Sequence, residues 1–167
     1  TLLSPDGTKN PYYAFHGWAG MNGLDEGETP NSSTNWTLKS GSILTENSPI
    51  TLSWKNNKGV IFEKTISIDE NYMFEISQSV INGSSENIQL YPYGNLTRNG
   101  QPDTIGFYIL HEGVVGMHDG ELIETNYGDI EDLSREEITR EIQQNGWIGF
   151  TDKYWMSTLI PKAGQTF

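Results

Sequence analysis

The sequence predicts an all-β domain of antiparallel strands with one short helix near 131–144, and three observations carry that expectation. Apolar residues between 50 and 96 recur with a period of two, the spacing of a half-buried strand. Asn, Asp and Gly clusters interrupt those runs at hairpin distances. One stretch alone changes to helical spacing, and it carries a capping signature. With 167 residues and 35% apolar content the chain supplies one core, so a single unit is expected, divided by no linker or internal repeat.

Residues 1–48 read as an irregular entry segment anchored by aromatic plugs. Pro5-Asp6-Gly7, Asn22-Gly23 and a polar stretch over 29–37 break it, while Tyr12, Tyr13, Phe15, Trp18 and Trp36 stand isolated. The β-sandwich strands are expected over 49–167. Ile50, Leu52 and Trp54 share one face, and after Asn56-Asn57-Lys58-Gly59 come Val60, Phe62, Ile66 and Ile68. Residues 57–59 tolerate the positive φ of a tight hairpin. Tyr72, Phe74, Ile76 and Val80 form the next run, closed by Asn82-Gly83-Ser84-Ser85, and Ile88, Leu90 and residues 91–96 a fourth. Short buried strands are expected at 105–110 and at Val114-Val115, where Gly113 and Gly116 permit close backbone approach, and Leu122-Ile123 follows an Asp119-Gly120 turn. Ile130, Leu133, Ile138 and Ile142 mark the helix. Ser134 with Glu137 is a capping box, and Asn145-Gly146 ends it. Residues 147–150 and 154–160 read as two more strands, stopped by Pro161, and Gln165-Thr166-Phe167 resume a strand pattern, as expected where a larger sheet continues.

Charge narrows the function classes. The formal net charge is -12 with scattered Lys and Arg, so nucleic acid is repelled, and anionic lipid headgroups are disfavoured by the same sign. Absent cysteine excludes disulfides and thiolate chemistry. No apolar run reaches the roughly 20 residues that span a bilayer. The chain opens Thr1-Leu2-Leu3 and reads as an excised segment.

No catalytic constellation emerges. His111 and Glu112 are adjacent, so on a strand they face opposite ways, and His118 adds no metal-ligand spacing. A hydrogen-bonding role at the turn before Gly113 is expected instead. The acidic cluster Glu124, Asp129, Glu131 and Asp132 lacks the glycine-centred spacing of a calcium loop and reads as a solvated face. Neither a glycine-rich phosphate loop nor a nucleophile elbow occurs. Four Asn-x-Ser/Thr sequons, at Asn31, Asn35, Asn82 and Asn95, are expected by chance in so Asn-rich a chain. The sequence therefore assigns no catalytic residue, metal or cofactor. Tyr91, Tyr93, Phe107, Tyr108 and Trp147 are the candidates to line a groove for an apolar peptide or a sugar, because flat rings bury area at small entropic cost.

Five ordered segments carry a resemblance that covers nearly the whole chain. After Leu2-Leu3-Ser4-Pro5-Asp6-Gly7-Thr8, Pro11-Tyr12-Tyr13 and Trp18 come Phe62-Glu63-Lys64-Thr65-Ile66 with Asp69-Glu70-Asn71-Tyr72-Met73-Phe74. Leu90-Tyr91-Pro92-Tyr93-Gly94, Gly106-Phe107-Tyr108-Ile109-Leu110-His111-Glu112-Gly113 and the run from Gly146 to Trp155 follow. In this order they resemble the large periplasmic domain of the YidC/Oxa1 family of membrane protein insertases, in its alphaproteobacterial form. The resemblance implies a β-super-sandwich of the galactose mutarotase-like kind, a non-enzymatic scaffold at the bacterial inner membrane facing the periplasm, and contacts with Sec translocon auxiliaries and nascent inner-membrane proteins. It places the inserting transmembrane helices outside this segment, which is expected to be monomeric. The competing expectation is a carbohydrate-binding or aldose-epimerase-like protein of the same fold, whose chemistry needs a histidine and a carboxylate facing one cleft.

Overall fold

The computed structural model describes residues 3–25, 27–104 and 110–164. In chain order its strands are β1 (Tyr12–Asn22), β2 (Thr37–Ser40), β3 (Ile50–Lys55), β4 (Ile61–Ile68), β5 (Phe74–Ile81), β6 (Gln89–Arg98), β7 (Gly113–His118), β8 (Glu121–Asn126), β9 (Gly146–Thr151) and β10 (Met156–Leu159). A 3-10 turn at Tyr127–Asp132 and a one-turn helix α1 (Arg135–Ile138) separate β8 from β9. The fold is all-β and mostly antiparallel. β1 and β6 pair as a two-stranded sheet. The chain groups into two compact units, His16–Gly94 and Thr1–Phe15 with Asn95–Phe167.

The first of these units is built on a meander in the order β2-β3-β4-β5. Its register explains the period of two. Trp54, Phe62 and Val80 stand side by side on one face, then Leu52, Lys64 and Gln78, then Ile50, Ile66 and Ile76. That face packs the core of Trp18, Leu24, Val60 and Phe62, with Trp36, Trp54, Val80, Ile88 and Leu90 against it. Val60 and Phe62 are completely buried, each worth about 1.5–3 kcal/mol relative to exposure. The opposite face is polar. Thr51 and Thr65 hydroxyls meet across the strands at 3.0 Å, and Lys39 pairs with Glu63 at 2.5 Å, as an antiparallel sheet with one wetted face requires. The β3–β4 hairpin closes as the sequence predicts. Asn56 Oδ1 accepts from the Lys58 and Val60 amides, its Nδ2 donates to the Glu28 carbonyl, and Gly59 takes φ +87°.

The second unit carries the sheet β10-β9-β7-β8. Its glycines permit strand contact where a side chain cannot fit: a Cβ on Gly149 would overlap the Ser157 carbonyl oxygen, and one on Gly113 the Thr125 carbonyl oxygen. Asp119, in the β7–β8 turn, accepts hydrogen bonds from the amides of Gln143, Gln144 and Asn145 at 2.8–3.0 Å. Those three donors hold its carboxyl below the usual carboxylate range. They seat the segment that carries Ile142, which is buried.

Three expectations need correction. Segment 1–48 contains β1 and β2; β1 has an irregular burial pattern, so its residues give no period-two signal. The helix expected over 131–144 is confined to Arg135–Ile138. The capping box is present, with Ser134 and Glu137 bonding reciprocally, but Ile138 remains 62% exposed. Without an apolar surface to cover, so short a helix does not propagate. The strand expected over 105–110 lies mostly outside the described residues, and Tyr154 and Trp155 occupy a turn closed by the Asp152 amide on the Trp155 carbonyl at 2.8 Å.

Candidate functional site

Of the five aromatic candidates, Tyr91 and Tyr93 lie two residues apart on β6, which places them on one face of that strand. They are 50% and 41% exposed, while Leu90, between β6 and the core, turns the other way and packs against the buried cluster. Gln89 Nε2 donates to the Tyr91 hydroxyl at 3.3 Å. The pair is thus a short aromatic display on a strand whose other face is anchored. Trp147 belongs to the other unit, half-buried on β9 opposite Met117 of β7. Phe107 and Tyr108 lie outside the described residues.

The most concentrated chemistry in the second unit involves residues that sequence reasoning did not single out as a site. Arg98, at the end of β6, donates to Asp152 Oδ2 at 2.5 Å and to the Tyr127 hydroxyl at 3.1 Å, and that hydroxyl donates to Asp152 Oδ1 at 3.1 Å. The guanidinium lies 4.7 Å from the Tyr12 ring centroid and 5.3 Å from that of Tyr127. Phe150 completes the cluster, stacked on Tyr127 and edge-on to Tyr12. Burial raises the Tyr127 pKa, so its proton stays in place. Burial opposes the Arg98 charge, yet Asp152 and the two tyrosines outweigh it and the net shift is upward. Among the described residues no buried side-chain nitrogen or oxygen lacks a partner, and the arrangement joins a strand end to the turn after β9. The two lie 54 positions apart, and no motif between Arg98 and Asp152 announces the pair.

In the first unit, Lys64 is 9% exposed and lies 4.7 Å from the Trp36 ring and 5.6 Å from that of Trp18. Burial lowers its pKa. Burial, then the Lys64 charge, lowers that of His16 as well.

His111 behaves as the sequence predicts. His111 Nε2 donates to the Val114 carbonyl at 2.8 Å, and His118 Nε2 to the Glu141 carbonyl at 3.0 Å. The first bond is local, whereas the second joins the end of β7 to the segment before β9. Among the described residues no group of three or more His, Asp and Glu side chains is arranged to hold a metal ion, and no helix is long and apolar enough to cross a membrane. Asn31 and Asn82, two of the sequon residues, cap local turns by accepting from Ser33 and Ser84 amides.

Comparison with known proteins gives one answer. The family described as the YidC periplasmic domain matches residues 1–167. The protein named membrane protein insertase YidC in Jannaschia sp. (strain CCS1) is 51% identical over 173 residues, covering 99% of this chain and 28% of that protein. Its namesakes in Ruegeria sp. (strain TM1040) and Dinoroseobacter shibae are 49% and 47% identical, covering 100% and 99% of this chain and 29% and 28% of their own lengths. The chain therefore spans less than a third of these relatives.

Proposed function

Because this chain belongs to the YidC periplasmic-domain family, we propose that it supports the insertion and folding of inner-membrane proteins as a non-catalytic contact domain. It is part of one periplasmic domain, of β-super-sandwich architecture, held at the bacterial inner membrane by helices elsewhere in the protein. Its partners are nascent inner-membrane proteins and Sec translocon auxiliaries, engaged through apolar side chains that include Tyr91, Tyr93, Phe107, Tyr108 and Trp147. The match across all of residues 1–167 carries this reading. The half-exposed pair Tyr91 and Tyr93 supports the choice of surface, since flat rings on a rigid strand bind with little entropy to lose. The aldose-epimerase alternative finds no support, because His111 is engaged with the Val114 carbonyl and the comparisons give insertases.

The test is photo-crosslinking in the full-length insertase, with the photoreactive side chain at position 91 or 93 and a stalled, radiolabelled inner-membrane protein as substrate. Crosslinks to the nascent chain or to a Sec component at 91 and 93, absent when the group sits at Thr51 on the polar sheet face, are expected. Equal labelling at all three positions would refute the surface assignment.

A further inference from the structure

Tyr72, in the β4–β5 turn, has its backbone at φ +61°. That left-handed region disfavours a bulky L-residue by about five- to thirtyfold in population. The turn is nevertheless firmly built. Asp69 Oδ1 accepts from the amides of Asn71 at 2.8 Å and Met73 at 3.0 Å. The Asp69 amide donates to the Met73 carbonyl at 3.1 Å, and the Tyr72 amide to the Asp69 carbonyl at 3.3 Å. None of these bonds uses the tyrosine side chain, and glycine at 72 would satisfy the same backbone without strain.

The ring contributes nothing to the core either. Tyr72 is 82% exposed, more than any other large apolar side chain described, and its neighbours Met73 and Phe74 are 51% and 56% exposed. Glu70, two residues before Tyr72, is exposed and forms no ion pair among the described residues, while Glu75 faces the opposite, polar side of β5. A strained position thus presents an aromatic side chain outward on a preset backbone, beside the exposed carboxylate of Glu70. Strain kept where a better-suited residue would serve the fold points to a role outside the fold.

We propose that the turn over residues 69–75 is a docking knob for a protein partner whose surface offers an apolar pocket rimmed by Lys or Arg. Aromatic anchors carry most of the energy in such contacts, and a preset backbone avoids the entropy of ordering a loop on binding. The charge selects the occupant. Glu70 and the net charge of -12 oppose an anionic lipid surface, and a second copy of the chain would bring the same sign against it. A basic-rimmed pocket gains from both parts of the knob. The proposal rests on the reading of this chain as a protein-contacting domain and adds the chemistry of one partner surface.

The test titrates the 15N-labelled chain with an amphipathic Leu/Lys helical peptide, which offers an apolar face with basic borders, and with a Leu/Glu peptide of the same length. Shifts confined to residues 69–75 with the Leu/Lys peptide alone are expected. Tyr72→Ala should weaken binding by about thirtyfold, and Glu70→Gln should reduce its salt dependence. Tyr72→Gly should lose binding while leaving the folded-to-unfolded ratio equal or higher. Shifts elsewhere, binding indifferent to Tyr72→Ala, or a Tyr72→Gly chain destabilised by more than about fivefold would overturn the proposal. So would Tyr72-dependent binding to phosphatidylglycerol vesicles, or Tyr72-dependent dimerisation in sedimentation. Crosslinks retained at position 91 in the insertase would then show that the knob fails and the contact-domain reading stands.

Discussion

Replacing Arg98 tests how far one charged cluster holds its unit together. Its side chain is 16% exposed and that of Asp152 25%, between the exposed pairs worth about 0.2–1 kcal/mol and the buried ones whose disruption costs about 3–5. A coupling near 2 kcal/mol follows for the Arg98–Asp152 pair. Two ring faces, at 4.7 and 5.3 Å, add about 0.5 kcal/mol each. Arg98→Met, which keeps the stem and removes the charge, should therefore cost about 3 kcal/mol. Asp152→Asn should cost less, because the amide oxygen still accepts from Tyr127. Urea unfolding followed by tryptophan fluorescence, on both single variants and the double, completes the cycle. A coupling under about 0.5 kcal/mol would show the pair to behave as a surface contact and would refute the argument that it locks β6 to the turn after β9.

Three further outcomes follow from the same geometry. His16 has a folded-state pKa below its ordinary 6.5, so the unfolded chain binds the proton more readily; stability is full above about pH 6.5 and falls as pH drops through that value toward the folded pKa. Melting curves from pH 8 to pH 5 should show this slope, and His16→Gln should remove part of it; an unchanged slope would exonerate His16. Gly149→Ala should destabilise by about 4 kcal/mol or more, because the added methyl meets the Ser157 carbonyl oxygen and not a movable side chain; near-parental stability in circular dichroism melts would contradict that register. Tyr91→Ser with Tyr93→Ser should change stability by less than about 0.5 kcal/mol each while reducing nascent-chain crosslinking, and a large loss of stability would recast the pair as structural.

Much of the fold was legible because its physics is local. The β3–β4 hairpin followed from Asn56 to Gly59, the inward rows of β3, β4 and β5 from alternation, and the start of α1 from Ser134 and Glu137. β1 was not legible: Tyr12, Gly17 and Trp18 are buried along it without alternation, so no period marks it as a strand. The length of α1 was overestimated because Ile130, Leu133, Ile138 and Ile142 have helical spacing, whereas only Ile142 among them is buried. At the site level, sequence could rank aromatic residues as candidates and correctly assign His111 to a turn. It could not bring Arg98 to Asp152 and Tyr127, since that meeting depends on sheet registry across distant segments. Nor could it flag Tyr72, whose distinction is a backbone angle.

The division of the chain has a consequence for the order in which its units close as the chain emerges. The unit His16–Gly94 is continuous, and its meander joins neighbouring strands, so it can close as soon as residue 94 has emerged. The other unit takes residues from both ends of the chain. Tyr12 must wait for Phe150, its ring partner, before that cluster can form. A chain delivered from its N-terminus therefore presents one finished unit and one open set of strands for the time that residues 95–150 take to appear, and that interval is when unpaired strand edges are most exposed to aggregation.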